Sequence, residues 1–333
     1  MTGKNLNILV GAAVVLGVAA YFVGSGSKPS APKLNGKTIL PGLNAADVAR
    51  VEIGGGKLVL AAGDKGWVVE SLHGYPASRD KIAENLLKLT ELKVGQVAHG
   101  RKLGAETAVT LKDASGKAIA ELKLGDTHSK KPTGQAAMYG GGGYPDGRYL
   151  EFSGETVLVK DTLDAFDGDA KKWCETRIAS IPSSDVTAVS YSQGKELVEL
   201  EKGTNSTWVL KGLGPKEELD TSKTYSLDSA LSYLDFNSVA DPKLTEAELG
   251  FSTGAVYTVT VKDGSNTVKR VARIGNKVNG GSDRYFKLDD GKWVFTISSY
   301  SAENMMKKRS DLVKAKEEPK KEEPKKDEKK SGK

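Results

Sequence analysis

Apolar and polar residues alternate in short runs along most of this 333-residue chain, which is the period of half-buried β-strands. Val51 and Ile53 alternate with Arg50 and Glu52. Gly54-Gly55-Gly56 predicts a turn into a second strand at 57–61, and Asp64-Lys65-Gly66 a turn into a third at 66–70, which carries Trp67. The period then changes. Ile82, Leu86 and Leu89 step by four and then three, which places them on one helix face. Ser78 suits the N-cap, Asp80 the first turn and Gly95 the end of that helix. Alternation returns at Val109 and Leu111, turns through 113–116 and resumes at Ala120, Leu122 and Leu124. A further hairpin joins 148–152 to 156–160, and a charged helical stretch is expected over 164–176.

The same succession then occurs again. ADVARVEI, KLVLAAGDKG and WVVE, between Ala46 and Glu70, answer to SDVTAVSY, KELVELEKG and TWVLK, between Ser184 and Lys211. Leu227, Leu231 and Leu234 repeat the four-then-three step after Ser226 and predict a second helix. Val259 and Val261, a turn at Asp263-Gly264 and the run 271–275 repeat the hairpin. The pair 284–288 and 292–296 repeats the next one, and a helical stretch at 301–312 closes the pattern. Arg148-Tyr149 and Arg284-Tyr285 are matching dipeptides.

The expected fold class is α+β: two tandem duplicated units, 46–181 and 184–313, after an N-terminal transmembrane helix. Each unit is read as a mainly antiparallel sheet with a helix packed on one face, because short turns join neighbouring strands antiparallel. Val51 should coincide with Val189, Trp67 with Trp208, Leu86 with Leu231 and Tyr149 with Tyr285, with the equivalent tryptophans mostly buried. The units also differ. Gly125 and Arg148 are 23 positions apart, against 9 for Gly275 and Arg284, so the first unit carries 14 extra residues near His128–Gly147. The second unit is longer in the region 212–221. Insertions on a scaffold are frequent binding sites, so Gly140, Gly143, Tyr144 and Arg148 are the candidate ligand or partner contacts.

The ends of the chain break the pattern. Leu6–Val23 holds 18 residues without a charge, and as a helix it would span about 27 Å, close to the hydrocarbon thickness of a bilayer. Residues 1–24 are therefore read as a membrane anchor. A cleaved signal peptide is the competing reading, with Gly24-Ser25-Gly26 as its small-residue site. Residues 25–45 read as a linker, with a flexible spacer over Ser25–Pro41. Residues 314–333, rich in Lys, Glu and Pro, read as a disordered tail. Lys4 and the amino group on one side, against Lys28, Lys33 and Lys37 on the other, leave the orientation of the anchor nearly balanced.

Net charge is +6, but the excess sits in these flanks and the body is almost neutral. A nucleic-acid reader needs a basic face on its folded domain, so no nucleic-acid partner is expected. Cys174 is the only cysteine. It reads as a small core residue beside Trp173, on a helix. His73, His99 and His128 lack metal-site spacing. The GGGGYPDG stretch precedes a strand, not a helix, and lacks the ending of a phosphate loop. No catalytic residue, cofactor or metal is expected. Trp67, Trp208 and Trp293 read as core anchors.

WVVE, YPASRDKIAENLLKLTEL, VTLKD and GRYLEF, recurring as TWVLK, YSLDSALSYL, VTVKD and DRYFKL, resemble the bacterial domain-of-unknown-function family 4340. The resemblance covers most of residues 46–313. It implies an extracytoplasmic protein attached to the bacterial inner membrane by a single pass, near ABC-transporter systems of the gliding-motility type. The expected function is an interaction or accessory subunit of such a transport or envelope complex. Its partners would be the bilayer, through Leu6 to Val23, and membrane-complex proteins. The alternative is an enzyme acting on an envelope polymer, with its site near the His128–Arg148 insertion and His128, Tyr144, Asp146 and Arg148 as the residues to test. A third reading has the lysine tail binding an anionic polymer.

Overall fold

The computed structural model describes residues 34–132 and 143–315. The expected anchor at Leu6–Val23, Gly140 and the tail beyond Ala315 lie outside the described residues. Among the described residues no helix is long and apolar enough to cross a membrane.

Two antiparallel sheets make up the body. The first contains β1 (Arg50–Ile53), β2 (Leu58–Gly63), β3 (Gly66–Val69), β4 (Tyr75–Pro76), β5 (Gln96–Val97), β6 (Thr107–Lys112), β7 (Ala118–Lys130), β8 (Tyr144–Phe152) and β9 (Glu155–Val159), in the order β4-β3-β2-β1-β6-β7-β8-β9-β5. After β10 (Arg177–Ala179) the second sheet follows. It uses β11 (Val186–Gln193), β12 (Glu196–Lys202), β13 (Trp208–Leu210), β16 (Ser238–Val239), β17 (Ala255–Asp263), β18 (Asn266–Lys277), β19 (Arg284–Leu288) and β20 (Phe295–Ile297). Its order is β13-β12-β11-β17-β18-β19-β20-β16, the order of the first sheet without the edge strand β4. The central strands carry the alternation seen in sequence. Val51 lies opposite Leu60 and Leu111, and Val189 opposite Leu200 and Val259. All six are buried, so the apolar face of each sheet is fixed by its middle strands.

The sheets share one hydrophobic core. At the joint β10 pairs with β15 (Leu234–Asp235), and Phe236 N donates to Thr176 O at 3.0 Å. The Tyr75 ring meets Phe236 and Trp293 edge-on at 5.2 Å and Phe295 at 5.9 Å. Fully buried Trp173 donates through Nε1 to Ala165 O at 2.9 Å, and its own carbonyl accepts from Ser78 N at 2.7 Å.

Helices are fewer than the pattern suggested. The first expected helix is α1 (Arg79–Glu91), with Ile82, Leu86 and Leu89 buried. It ends at Leu92. Gly95 instead donates to Leu158 O at 2.8 Å on β9. Ser78 occupies the cap position without making a side-chain capping bond. The second expected helix is absent. Leu227, Leu231 and Leu234 are buried, but Leu227 and Leu231 lie in successive turns and Leu234 begins β15. Its serines and aspartates are the reason: such side chains compete with helical bonds by finding other partners. Ser229 Oγ donates to Tyr225 O at 3.2 Å, Ser232 Oγ donates to Ile181 O at 2.8 Å, and Asp228 pairs with Lys202 at 3.0 Å. The hydroxyl of Tyr257 donates to Leu227 O, removing another carbonyl from any helical ladder.

The closing stretch of the first half is two short 3-10 turns, Asp164–Asp167 and Ala170–Trp173. Cys174 follows them in extended conformation, not on a helix. The closing stretch of the second half does contain α3 (Ser299–Met305) and α4 (Arg309–Leu312), after the single-turn α2 (Glu246–Leu249).

Two boundaries move. The spacer expected up to Pro41 is packed from Leu34 onward, with Leu34 and Ile39 in the core and Ile39 N donating to Leu92 O at 2.8 Å. At the other end Lys314 and Ala315 belong to β21 (Val313–Ala315), which pairs with β14 (Glu217–Leu219). Trp67 and Trp208 are half-buried against the core, not mostly buried. Trp173 is the tryptophan at the centre.

Candidate functional site

Two strands of the first sheet outrun their neighbours. β6 follows β7 only as far as the Thr107–Leu124 pair, and β9 meets β8 no earlier than Arg148–Val159. Past Thr127–Arg148, β7 and β8 pair only with each other among the described residues, through His128–Gly147, Ser129–Pro145 and Lys130–Tyr144. Register shifts at two places in this stretch mark bulges, which bend and twist a ribbon. In the second sheet the corresponding strands end at Lys277–Arg284. A tight turn closes them, with Val278 N donating to Asp283 O at 2.8 Å. The extra residues therefore build a projecting two-stranded arm.

The four candidate residues separate on this arm. Tyr144 is 58 % exposed on the ribbon. Gly143 is a close-packing position, where a Cβ would stand 2.5 Å from Lys130 O. Gly140 is outside the described residues. Arg148 is a correction: its side chain turns into the body and is buried. Nε donates to Gly125 O at 2.9 Å, and Nη1 donates to Thr162 O at 3.4 Å and to the Asp167 carboxylate. Arg284 Nη1 donates to Gly275 O at 3.0 Å in the second sheet. Both arginines pin the carbonyl of a glycine next to a bulge, Arg148 from a buried position and Arg284 from a partly buried one, a task suited to the planar guanidinium fork.

These glycines form another matched contact. A Cβ on Gly125 would lie 2.3 Å from Leu103 O, and one on Gly275 would lie 2.0 Å from Leu249 O. Each therefore admits a Leu-Gly loop, Leu103-Gly104 or Leu249-Gly250, onto the sheet. No spacing in the sequence announces this contact, because it joins segments more than twenty residues apart.

The outer side of the arm gathers charged and aromatic groups from three separate segments. His128 Nδ1 bonds the Asp146 carboxylate across the ribbon. The ring of His128 meets Tyr149 edge-on at 5.7 Å, and the Arg101 guanidinium lies over Tyr149 at 3.8 Å. Arg101 Nη2 also approaches Asp126 Oδ2 at 3.7 Å. Sequence reasoning named His128 and Asp146 but not their pairing, and it missed Arg101 and Tyr149 as members of the group. The signal was the strand register: once Thr127 faces Arg148, His128 and Asp146 are neighbours. Such a pair orients the imidazole and leaves Nε2 for another group. Cys174 is a poor nucleophile: it is buried, and burial pushes its thiol up to about 11. Among the described residues no three His, Cys, Asp or Glu side chains form a metal-holding group.

The fold thus defines a class, a mainly antiparallel β protein with short helices and two sheets on a common core. Within that class the chain belongs to the family described as a domain of unknown function, DUF4340, whose family model matches residues 67–253. The match begins in β3 and ends just before β17, so it crosses from the first sheet into the second. No curated protein and no solved structure matches the chain.

Proposed function

We propose that this chain is an interaction or accessory subunit of a cell-envelope complex. In this reading Leu6–Val23 holds it to the bacterial inner membrane, with the body on the extracytoplasmic side beside an ABC-type transport system. The single observation behind it is the β7–β8 arm. From Thr127 to Lys130 and from Tyr144 to Asp146 the described backbone pairs only across the ribbon, so each strand offers a free edge. Free edges recruit partner strands or must be covered. We further propose that the two sheets are tandem copies, supported by their common strand order and by the paired Arg–Gly contacts. An arm present in one copy only then serves something other than the scaffold.

The test replaces residues 127–147 by the short connection 277–283 of the second sheet. Affinity purification of the full chain from mild detergent should recover stoichiometric membrane proteins, and the shortened variant should lose them while keeping its thermal transition. Repeated recovery of a lone monomer with the arm intact would reject the proposal. The His128–Asp146 pair favours a second reading, an enzyme acting on an envelope polymer. Under that reading His128→Ala and Asp146→Ala each abolish a turnover found by screening glycan, peptide and ester substrates. A screen without turnover removes it.

A further inference from the structure

The outward face of the second sheet contains a hollow that the first sheet fills. Val51 and Val189 hold the same place in their sheets, each opposite apolar residues of both neighbouring strands. The residues on either side of them point to the other face. On the first sheet these are Arg50 and Glu52, with Lys112 opposite Arg50. Arg50 Nε and Lys112 Nζ each donate to Glu52 Oε1 at 2.8 Å, and Arg50 Nη1 donates to Glu70 Oε1 at 2.9 Å. This bridge covers the middle of the sheet. On the second sheet the same three places hold Ala188, Ser190 and Thr260. No long side chain crosses the middle, and a hollow of about 420 Å³ opens over these residues and Thr258.

Its walls are charged. Glu199 and Glu201 stand on β12, opposite Ser190 and Ala188, and Lys269 stands on β18, opposite Thr260. Glu201 pairs with Lys211 at 2.6 Å. Glu199 accepts from Lys211 N at 2.9 Å through its carbonyl, and its carboxylate adds to Glu201 in favouring the charged Lys211. Lys269 makes no side-chain hydrogen bond or ion pair among the described residues. The hollow therefore presents hydroxyls on its floor, the Glu199 and Glu201 carboxylates beside Lys211 on one wall and the Lys269 ammonium on the other.

We propose that this hollow binds a neutral, polyhydroxylated ligand: a stretch of saccharide chain. Charge and polarity disfavour the other classes. A phosphate-rich polymer would meet Glu199 and Glu201, and a simple cation would meet Lys211 and Lys269. A protein hot spot or a lipid chain needs an aromatic or apolar centre, where this floor carries Ser190, Thr258 and Thr260. A sugar hydroxyl both donates and accepts, so one ligand can donate to Glu199, accept from Lys269 and exchange bonds with the floor. The volume lies in the small-ligand range of about 300–1,000 Å³. The proposal is independent of the arm, which belongs to the other sheet.

The experiment titrates chitotetraose and cellotetraose into the full chain held in a sugar-free detergent, read by calorimetry and by hydrogen exchange. The expected result is saturable binding of at least one of them, with added protection confined to β11, β12 and β17. The triple variant A188R/S190E/T260K transfers the first sheet's own bridge into the hollow and should weaken binding at least tenfold. If that variant misfolds, Ser190→Gln fills the floor with one neutral side chain and should give the same loss. Glu199→Gln should weaken binding severalfold with the thermal transition unchanged. Binding undiminished by a folded filling variant, or no saturable binding of either sugar at millimolar concentration, overturns the proposal.

Discussion

Ile82, Leu86 and Leu89 in the first half and Leu227, Leu231 and Leu234 in the second have the same spacing and the same burial, yet only the first set lies on a helix. The apolar stripe decides what is buried, because the core beneath needs filling in both halves. The residues between the leucines decide the backbone. Lys, Glu, Asn and Ala in the first half are compatible with a helix, whereas Ser and Asp in the second find other partners. The sheet faces differ in the same way. The inner faces are both apolar, with Val51 between Leu60 and Leu111 and Val189 between Leu200 and Val259, whereas the outer faces carry an ion bridge on one sheet and an open hollow on the other. Burial constrains one side of each sheet and leaves the other free to specialise.

The largest expected effect tests whether the halves are one folding unit. Trp173→Ala empties a fully buried site of the shared core and should cost roughly 3–5 kcal/mol, as large core truncations do. Trp67→Ala, half-exposed, should cost less. Urea unfolding followed by fluorescence and by circular dichroism should give coincident transitions in both variants, because the two sheets share their core. Two separated transitions would break the picture of a common core.

Next in size are Leu86→Ala and Leu231→Ala, each expected to cost about 2–5 kcal/mol by loss of burial and a cavity. Near equality would show that packing, not helix formation, sets the value of the stripe. A cost within experimental error of zero for Leu231→Ala would mean that the turn segment is not held as described. Smaller again are Gly125→Ala and Gly275→Ala. In each the new methyl meets a backbone carbonyl that has to shift, at roughly 1–3 kcal/mol. Parallel losses in melting temperature sharpen the comparison, and a loss in only one sheet restricts the Leu-Gly contact to that sheet.

The smallest effect is pH-dependent and belongs to the first sheet alone. Hydrogen bonds from Lys112 and then Arg50 hold the Glu52 carboxyl below its ordinary value. A depressed folded value stabilises the protein above the unfolded pKa of about 4.3, and that contribution disappears as pH falls through the folded value. Glu52→Gln should therefore flatten the acid limb of the stability profile below about pH 4 relative to wild type. The second sheet has Ser190 at this place, and Ser190→Ala should leave the acid limb unchanged. An unaltered acid limb in Glu52→Gln would show that the bridge carries no net stabilisation.

Sequence alone determined the strands, the antiparallel pairing and the helix at Arg79–Glu91, because periodicity and turn residues act over a few positions. It also located the extra residues that became the β7–β8 arm. It did not decide that Arg148 turns inward, since a strand residue's face depends on register and a bulge changes that face. Nor did it decide that Leu227–Leu234 would bury its leucines without a helix, because the carbonyl taken by Tyr257 lies thirty residues away. The pairing of His128 with Asp146, the Leu-Gly contacts at Gly125 and Gly275, and the hollow over Ala188 and Ser190 each join strands distant in sequence. Only the assembled sheets bring them together, because side-chain contacts across strands are set by register and not by proximity along the chain.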